Sequence, residues 1–247
     1  MSADLFTHVL RQADRAFVLS HRLAQWLTHA PELEEDMALA NISLDLLGQA
    51  RQLYTYAGEL EGAGRDEDHF AYWRTADDFR NPLLVEQPNG DFAVTMVRQV
   101  LHDHGALLYW ESMTTSTDER LASLAARAVN ETRFHLRHSA GWLVRLGDGT
   151  DESHRRTQAA LHLLWPYADE LLGDPDEHEL RTAGVVGPSI DAAWHAAVAA
   201  TIRTATLALP STIHPKRGGL HGQHSEHLPS MLTELQALAR AHPEATW

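Results

Sequence analysis

Cysteine is absent from this sequence of 247 residues. The absence excludes disulfide bonds, thiolate ligands to a metal, iron–sulfur ligation and a cysteine nucleophile. A metal site in this chain would have to use histidine and carboxylate side chains instead. The sequence contains 17 histidines and 34 aspartates and glutamates, so residues of these types are plentiful.

Long apolar runs are also missing. No segment approaches the roughly 18 consecutive apolar residues of a membrane-spanning helix. Residues 1–30 mix charged and apolar residues at helical spacing, without the uninterrupted apolar stretch of a secretory signal. We therefore expect a cytoplasmic protein that does not enter a membrane.

Basic residues are few relative to acidic ones. Lys and Arg total 20 against 34 Asp and Glu, which gives a net charge of −14. This charge disfavours binding to the phosphate backbone of nucleic acid or to anionic lipid. A local basic pocket for an anionic substrate remains compatible with it. The P-loop, the G-x-G-x-x-G fingerprint and the serine nucleophile elbow are absent as well.

The pattern that is present is helical almost throughout. Apolar residues recur at a spacing of three or four, no segment alternates with a period of two, and most prolines fall between periodic segments. Pro166 predicts a kink or break inside one helix, and Asp91 is expected to cap another. The spacing predicts helices over residues 5–29, 33–61, 92–116, 119–146, 152–172, 189–209 and 226–241.

Four of these helices are long, and each has an apolar seam along one side. Four long helices with inward seams predict an all-α four-helix bundle, with the additional C-terminal helices packed around it. The connections are mostly short. We therefore expect residues 1–247 to form a single domain.

Residues 130–138 read NETRFHLRH and come close to the Glu-x-x-His motif of carboxylate-bridged di-iron proteins. A di-iron bundle needs this motif on two helices and a carboxylate on each of the other two. Here Glu131 lies four residues before His135, Thr132 lies three before it, and no Glu-x-x-His occurs anywhere in the chain. The spacing therefore leaves Thr132 where the motif requires a carboxylate.

Asp103 is the only acidic residue on the predicted inward seams. One aspartate and one histidine provide too few donors for a di-iron centre, so the pattern favours a hydrogen-bonded polar cluster. Because an unpaired buried charge is costly, Asp103 and His135 are predicted to bond to each other or to close partners such as Gln49 or Thr132.

The segment HGQHSEH places His221, His224 and His227 at three-residue spacing. This spacing could serve a metal-binding loop. The glycines around it make a preformed ligand geometry improbable, so we expect a solvated loop that leads into a helix. The sequence leaves open whether this loop binds adventitious metal.

Four stretches of the chain resemble a known family, the ferritin-like C subunits of bacterial phenylacetyl-CoA epoxidases. The resemblance covers essentially the whole chain. It is carried by residues 29–62, 81–93, 131–150 and 224–236, the third of which reads ETRFHLRHSAGWLVRLGDGT. The family belongs to the ring 1,2-epoxidase of aerobic phenylacetate breakdown, and its ferritin-like fold agrees with the predicted bundle.

The resemblance also implies the positions at which this chain has lost the ligands of a di-iron site. Comparison with the pattern of the family's catalytic paralogue assigns the six ligand positions to Ala16, Leu46, Gln49, Asp103, Thr132 and His135. Only Asp103 and His135 could still bind a metal. We therefore expect no catalytic residue, metal or cofactor on this chain, and a di-iron centre in its partner.

The resemblance implies a non-catalytic structural subunit that stabilises the paralogous di-iron catalytic subunit by clamping its helices. The further partners that it implies are a small accessory subunit and a reductase, with self-association when the chain is isolated. Two other hypotheses remain at this point. The chain could be a di-iron or mononuclear oxygenase in its own right, or a ferritin-like binding protein with no enzyme partner.

Overall fold

Four long α-helices form the centre of the structure. The computed structural model describes residues 4–211 and 214–245, and over these ranges it contains ten α-helices and no β-strand. The long helices are α1 (Leu5–Ala24), α2 (Leu33–Glu61), α5 (Phe92–Met113) and α6 (Glu119–Gly147). None of the described helices is long and apolar enough to cross a membrane. The prediction of an all-α four-helix bundle with further helices around it is confirmed.

The remaining six helices of the described ranges are shorter. They are α3 (Glu67–Tyr72), α4 (Leu83–Glu86), α7 (Asp151–Leu164), α8 (His178–Thr182), α9 (Asp191–Thr204) and α10 (His227–Ala241). Periodicity did not predict α3, α4 and α8, because helices of four to six residues are too short to show a repeat. The break at Pro166 is confirmed: α7 ends at Leu164, and two 3-10 turns follow it.

Local side-chain chemistry sets several helix ends. Asp91 caps α5 as predicted, with its Oδ1 accepting a hydrogen bond from the Val94 N–H at 3.0 Å. The predicted ends of three helices are wrong by several residues, because α1 stops at Ala24, α5 stops at Met113 and α9 covers less than residues 189–209. After α1 the chain turns through Thr28, whose φ of 69° is incompatible with a continuing helix.

Helix α1 packs along α2, and α5 packs along α6. The single seam predicted for α1 is too narrow, because α1 also contacts α4 and is buried on nearly every side. Its buried residues include six polar ones. These are His8, Arg11, Asp14, Arg15, Ser20 and Arg22. A helix that buries so many polar groups must find hydrogen-bond partners for them inside the protein.

Whereas α10 packs against α3, helices α7 and α9 pack against the α5 and α6 side of the bundle. A second apolar cluster lies there, separate from the main one among the long helices, and it includes residues of α5, α6, α7 and α9. Trp194 of α9 is buried in this cluster, and its indole N–H donates to the Leu101 carbonyl at 3.0 Å. Helix α9 is therefore anchored directly to α5.

Buried ion pairs attach the connecting segments to the bundle. The Asp14 carboxylate of α1 accepts hydrogen bonds from the Tyr54 hydroxyl at 2.6 Å, from the Arg80 backbone N–H at 2.8 Å and from the Arg74 guanidinium. Asp14 and Arg74 are both buried. This cluster fixes the segment between α3 and α4 against α1 and α2.

A second buried pair joins Glu86 to His224, which are 138 residues apart. His224 Nδ1 lies 2.7 Å from Glu86 Oε2, and its Nε2 lies 3.0 Å from the Phe79 carbonyl oxygen. The His224 side chain is only 3 % exposed, so the prediction of a solvated loop is wrong for this residue. Burial alone lowers the pKa of His224, but the hydrogen bond and charge of Glu86, with the Phe79 carbonyl, outweigh burial and raise this pKa.

We expect His224→Gln to destabilise the protein by about 3 kcal/mol at pH 6, because removing one partner leaves a buried charge uncompensated. A histidine whose folded pKa is raised stabilises the fold fully below its unfolded pKa of about 6.5. That contribution is lost as the pH rises through the folded pKa, above 6.5. The difference between wild type and variant should therefore shrink above pH 6.5, as measured by denaturant unfolding over a pH series.

His178→Gln is the control for this experiment. The His178 side chain is exposed on α8, and its nearest carboxylate oxygen, in Glu179, is 3.9 Å away. We expect this variant to change the free energy of unfolding by less than about 0.5 kcal/mol at every pH. A His224→Gln effect that is independent of pH would contradict the assignment of a charged imidazole.

Candidate functional site

The six positions that the family resemblance assigns to a lapsed di-iron site are all buried in the bundle. Ala16 lies on α1, Leu46 and Gln49 on α2, Asp103 on α5, and Thr132 and His135 on α6. The two that could ligate a metal, Asp103 and His135, are each 1 % exposed. The bundle therefore brings side chains from all four long helices into one interior.

Both carboxylate oxygens of Asp103 are hydrogen-bonded within the chain. Oδ1 lies 3.0 Å from Nδ1 of the neighbouring His102, and Oδ2 accepts a hydrogen bond from the Ser139 hydroxyl at 2.8 Å. Burial lowers the pKa of His102 and outweighs the opposing effect of Asp103. A neutral His102 donates from Nδ1, so Asp103 is held by one neutral donor on α5 and one on α6.

His135 makes its hydrogen bond in a different direction. Its Nε2 lies 3.0 Å from Oδ2 of Asp45, a partly exposed residue of α2. Gln49 does not reach His135 either, since its Nε2 donates to Glu131 Oε2 at 2.8 Å. The prediction that Asp103 and His135 have close partners holds. Neither side chain bonds directly to the other, to Gln49 or to Thr132 in the part of the chain that the structure describes.

Asp45 and Glu131 belong to a larger set of polar contacts between α2 and α6. We call these contacts the α2–α6 polar row. Its pairs are Glu35–His138, Asp45–His135, Gln49–Glu131, Gln52–Arg127, Tyr56–Asp118 and Glu59–Arg120. In the first four pairs, residue numbers fall from 138 to 127 along α6 as they rise from 35 to 52 along α2, so the two helices run antiparallel here. The last two pairs lie at the start of α6, where Asp118 is the N-cap.

Sequence reasoning missed the row because it followed the apolar seams. Asp45 is one residue before Leu46, and Glu131 is one residue before Thr132. A step of one residue turns a side chain by about 100° around the helix, away from the centre of the seam. In the structure that rotation carries these carboxylates to the border between two helices, where His135 and Gln49 reach them. The available signal was a carboxylate one position before a seam residue on each of the two helices, at Asp45 and at Glu131.

The six positions do not fit a di-iron centre. Ala16 and Leu46 have no donor atom, and Thr132 supplies a hydroxyl where a carboxylate is required. The remaining donors, on Asp103 and His135, face different partners and are already hydrogen-bonded. No step of a metal reaction can be assigned to side chains arranged in this way.

Among the residues of 4–211 and 214–245, one other group has the composition of a metal site. Single ligand atoms of Asp174, Asp176 and His221 lie within 4.8 Å of one another. The Arg11 guanidinium already bonds both oxygens of Asp176, at 2.8 and 2.9 Å, and so provides the positive charge there. His221 pairs with Asp174 at 2.8 Å rather than joining His224 and His227.

Comparison with known proteins identifies a family and a relative. The model of the family described as Phenylacetic acid catabolic protein matches residues 1–247. A relative from Escherichia coli (strain K12), the C subunit of 1,2-phenylacetyl-CoA epoxidase, is 47% identical over 248 residues. That match covers 99% of this chain and 99% of the relative.

We expect the isolated chain to bind far less than one iron atom per chain, because the interior donors are too few and already engaged. The measurement is the iron content after the chain, purified without a metal-binding tag, is loaded with ferrous iron and desalted. A ferritin-like di-iron protein treated in parallel shows that the loading works. Two irons per chain, lost on substitution of Asp103 and His135, would overturn this interpretation.

Proposed function

This chain belongs to the phenylacetic acid catabolic protein family, and from that membership we propose that it is a non-catalytic structural subunit of a multicomponent phenylacetyl-CoA ring 1,2-epoxidase. Its role is to bind and stabilise a paralogous di-iron catalytic subunit in the cytoplasm, during aerobic phenylacetate degradation. A small accessory subunit and a reductase complete the assembly. The name of the relative, the C subunit of such an epoxidase, supports this role.

The observation that carries the proposal is the state of the bundle interior. Three of the six candidate ligand positions hold Ala16, Leu46 and Thr132, which cannot provide the carboxylates of a di-iron site. The Asp103 and His135 side chains instead join neighbouring helices. Interior side chains that join helices favour a structural role over catalysis by this chain.

An exposed apolar stripe on α2 is the surface proposed for the catalytic subunit. We call it the α2 stripe. It consists of Leu33, Met37, Leu44 and Leu47, each at least 40% exposed. Their spacing of four, seven and three residues keeps them on one side of the helix, over a length of about 21 Å. Apolar residues grouped in this way on a surface mark an interaction site.

The stripe suits a helix of the partner for two reasons. A row of apolar side chains along one helix packs against a second long helix, and a ferritin-like paralogue is built from such helices. At the end of the stripe, a side chain added at Gly48 would meet no atom within 4 Å, so a partner backbone could approach closely. On another side of α2, the polar row fixes the helix against α6.

We expect Leu44→Arg to weaken assembly with the catalytic subunit, because it places a charge in the middle of the α2 stripe. Leu44 is 64% exposed, so the substitution should leave the free energy of unfolding within about 0.5 kcal/mol of wild type. The measurement is the fraction of catalytic subunit that co-purifies, after co-expression and sizing. Self-association of the isolated chain through the same stripe should fall as well.

Leu163→Arg is the matched control for this variant. Leu163 is 58% exposed on α7, outside the stripe, and the substitution introduces the same charge. Assembly should be unchanged in this control. Equal loss in both variants would indicate a general effect of charge, and no loss in Leu44→Arg would remove the stripe from the interface.

A second experiment tests the absence of a catalytic role. We expect His135→Gln to cost about 1–3 kcal/mol of stability, the scale of a disturbed buried hydrogen bond. His138→Gln is the matched control, because His138 pairs with Glu35 in the same polar row but is not one of the six positions. Turnover of phenylacetyl-CoA, normalised to assembled complex, should remain close to wild type in both variants.

Loss of a catalytic metal ligand has a different signature, since it removes stabilisation of the transition state. A hundredfold loss of turnover in His135→Gln alone, or about 2.7 kcal/mol in the activation barrier, would refute the structural role. Omitting this chain should instead leave the catalytic subunit aggregated or inactive.

A further inference from the structure

A small cavity with both polar and apolar lining lies outside the six positions at the bundle centre. It lies between α1, α5 and the segment of residues 170–190, and its volume is about 40 Å³. Its charged lining residues are three arginines and two glutamates, Arg11, Arg15, Arg181, Glu170 and Glu177. His8, Gln12 and Tyr109 add hydrogen-bonding groups. The cavity contains both acidic and basic groups, so its net character depends on which of them are paired.

Arg15 is the group in this cavity that lacks a partner. It is 6 % exposed, and it forms no hydrogen bond or ion pair with any residue of the described ranges. Its guanidinium lies over the Tyr109 ring, 5.2 Å from the ring centroid. A cation–π contact offsets only part of the cost of removing a guanidinium from water. Burial accordingly lowers the pKa of Arg15.

The carboxylates around the cavity are already used. Glu177 accepts a hydrogen bond from Arg181 at 3.0 Å, and its other oxygen lies 2.9 Å from His8 Nδ1. Asp176 is bonded on both oxygens by Arg11. The charge of Glu177 acts on Arg15 and opposes the lowering of its pKa by burial, but Glu177 forms no hydrogen bond with the guanidinium of Arg15.

Glu170 and Tyr109 form no hydrogen bond with Arg15 either. The Glu170 carboxylate accepts hydrogen bonds from the backbone N–H groups of Leu83 and Gly218, at 2.9 and 2.7 Å. Burial raises the pKa of Tyr109, so this side chain remains a neutral phenol. Its hydroxyl lies 3.0 Å from His8 Nε2.

Gln12 provides a second polar group without a partner. It lies three residues before Arg15, so the two side chains share a face of α1. Its Oε1 is buried and has no hydrogen-bond partner. Gln12 also lines the cavity, so its amide NH₂ group is a further neutral donor on the same wall as Arg15.

We infer that this cavity binds one small monovalent anion of chloride or formate size, held by the Arg15 guanidinium and the Gln12 amide. The anion accepts the hydrogen bonds for which the Arg15 guanidinium has no acceptor in the described chain. A water molecule needs roughly 10–15 Å³ on the same measure, so the cavity holds an ion with a water molecule but not a coenzyme A thioester. The inference is independent of the proposed subunit role.

The test is thermal unfolding of the isolated chain at constant ionic strength, with gluconate replaced by chloride or formate. At ten times the dissociation constant, binding to the folded state alone should raise Tm by roughly 3–6 °C, and the rise should saturate. Sulfate, which is larger, should not reproduce it. In Arg15→Gln the saturable rise should disappear, whereas Arg203→Gln, at an exposed arginine of α9, should retain it.

Bromide locates the site directly and does not depend on a variant that folds. Crystals of the wild-type chain grown in bromide should show an anomalous peak in contact with the Arg15 guanidinium. No peak in this cavity would overturn the inference. A chloride-dependent rise in Tm that persists in Arg15→Gln would overturn it too, because the anion would then act elsewhere.

Discussion

The Asp103 carboxylate is buried at the centre of the bundle, where it is stable only if the protein replaces the water that it has lost. His102 and Ser139 replace that water, one on its own helix and one on α6. The same requirement directs His135 to Asp45. Each hydrogen bond between helices that satisfies a buried group therefore also consumes a donor or acceptor that a metal would need. The same side-chain atoms can either join helices or bind a metal, and in this interior they join helices.

The requirement for partners also organises the outer parts of the fold. The Asp14–Arg74 pair holds the segment after α3 against α1 and α2. The Glu86–His224 pair holds the start of α10 against the segment before α5. These buried pairs join parts of the chain that apolar contacts alone would position less specifically. Arg15 is a marked departure from this pattern, because Glu177, the carboxylate whose charge acts on it, forms its hydrogen bonds with His8 and Arg181 instead. That departure makes its cavity chemically distinct from the other buried polar clusters.

The periodicity of apolar residues predicted the features that depend on a single helix. The long helices and the burial of Asp103 and His135 follow from the spacing of apolar residues, because a 3.6-residue repeat identifies the buried face of a helix. The partners of those residues depend on how two helices are rotated against each other. A charged residue one position off the seam, such as Asp45, can reach a neighbouring helix or only solvent, and spacing does not distinguish the two outcomes. For the same reason, residue spacing did not predict that His224 is buried, because its burial depends on Glu86, 138 residues earlier in the chain.

The two sides of α2 have complementary tasks in the proposed structural role. On one side, the polar row fixes α2 against α6 through directional contacts, so the helix is held in rotation as well as in position. On another side, Leu33, Met37 and Leu44 remain exposed. A helix that is free to rotate would present such a stripe in many orientations, and a partner would lose affinity by having to order it. Interior hydrogen bonds of Gln49 and His135 thus have a consequence at the surface. They fix the geometry of the face that the proposed role requires for positioning a catalytic subunit.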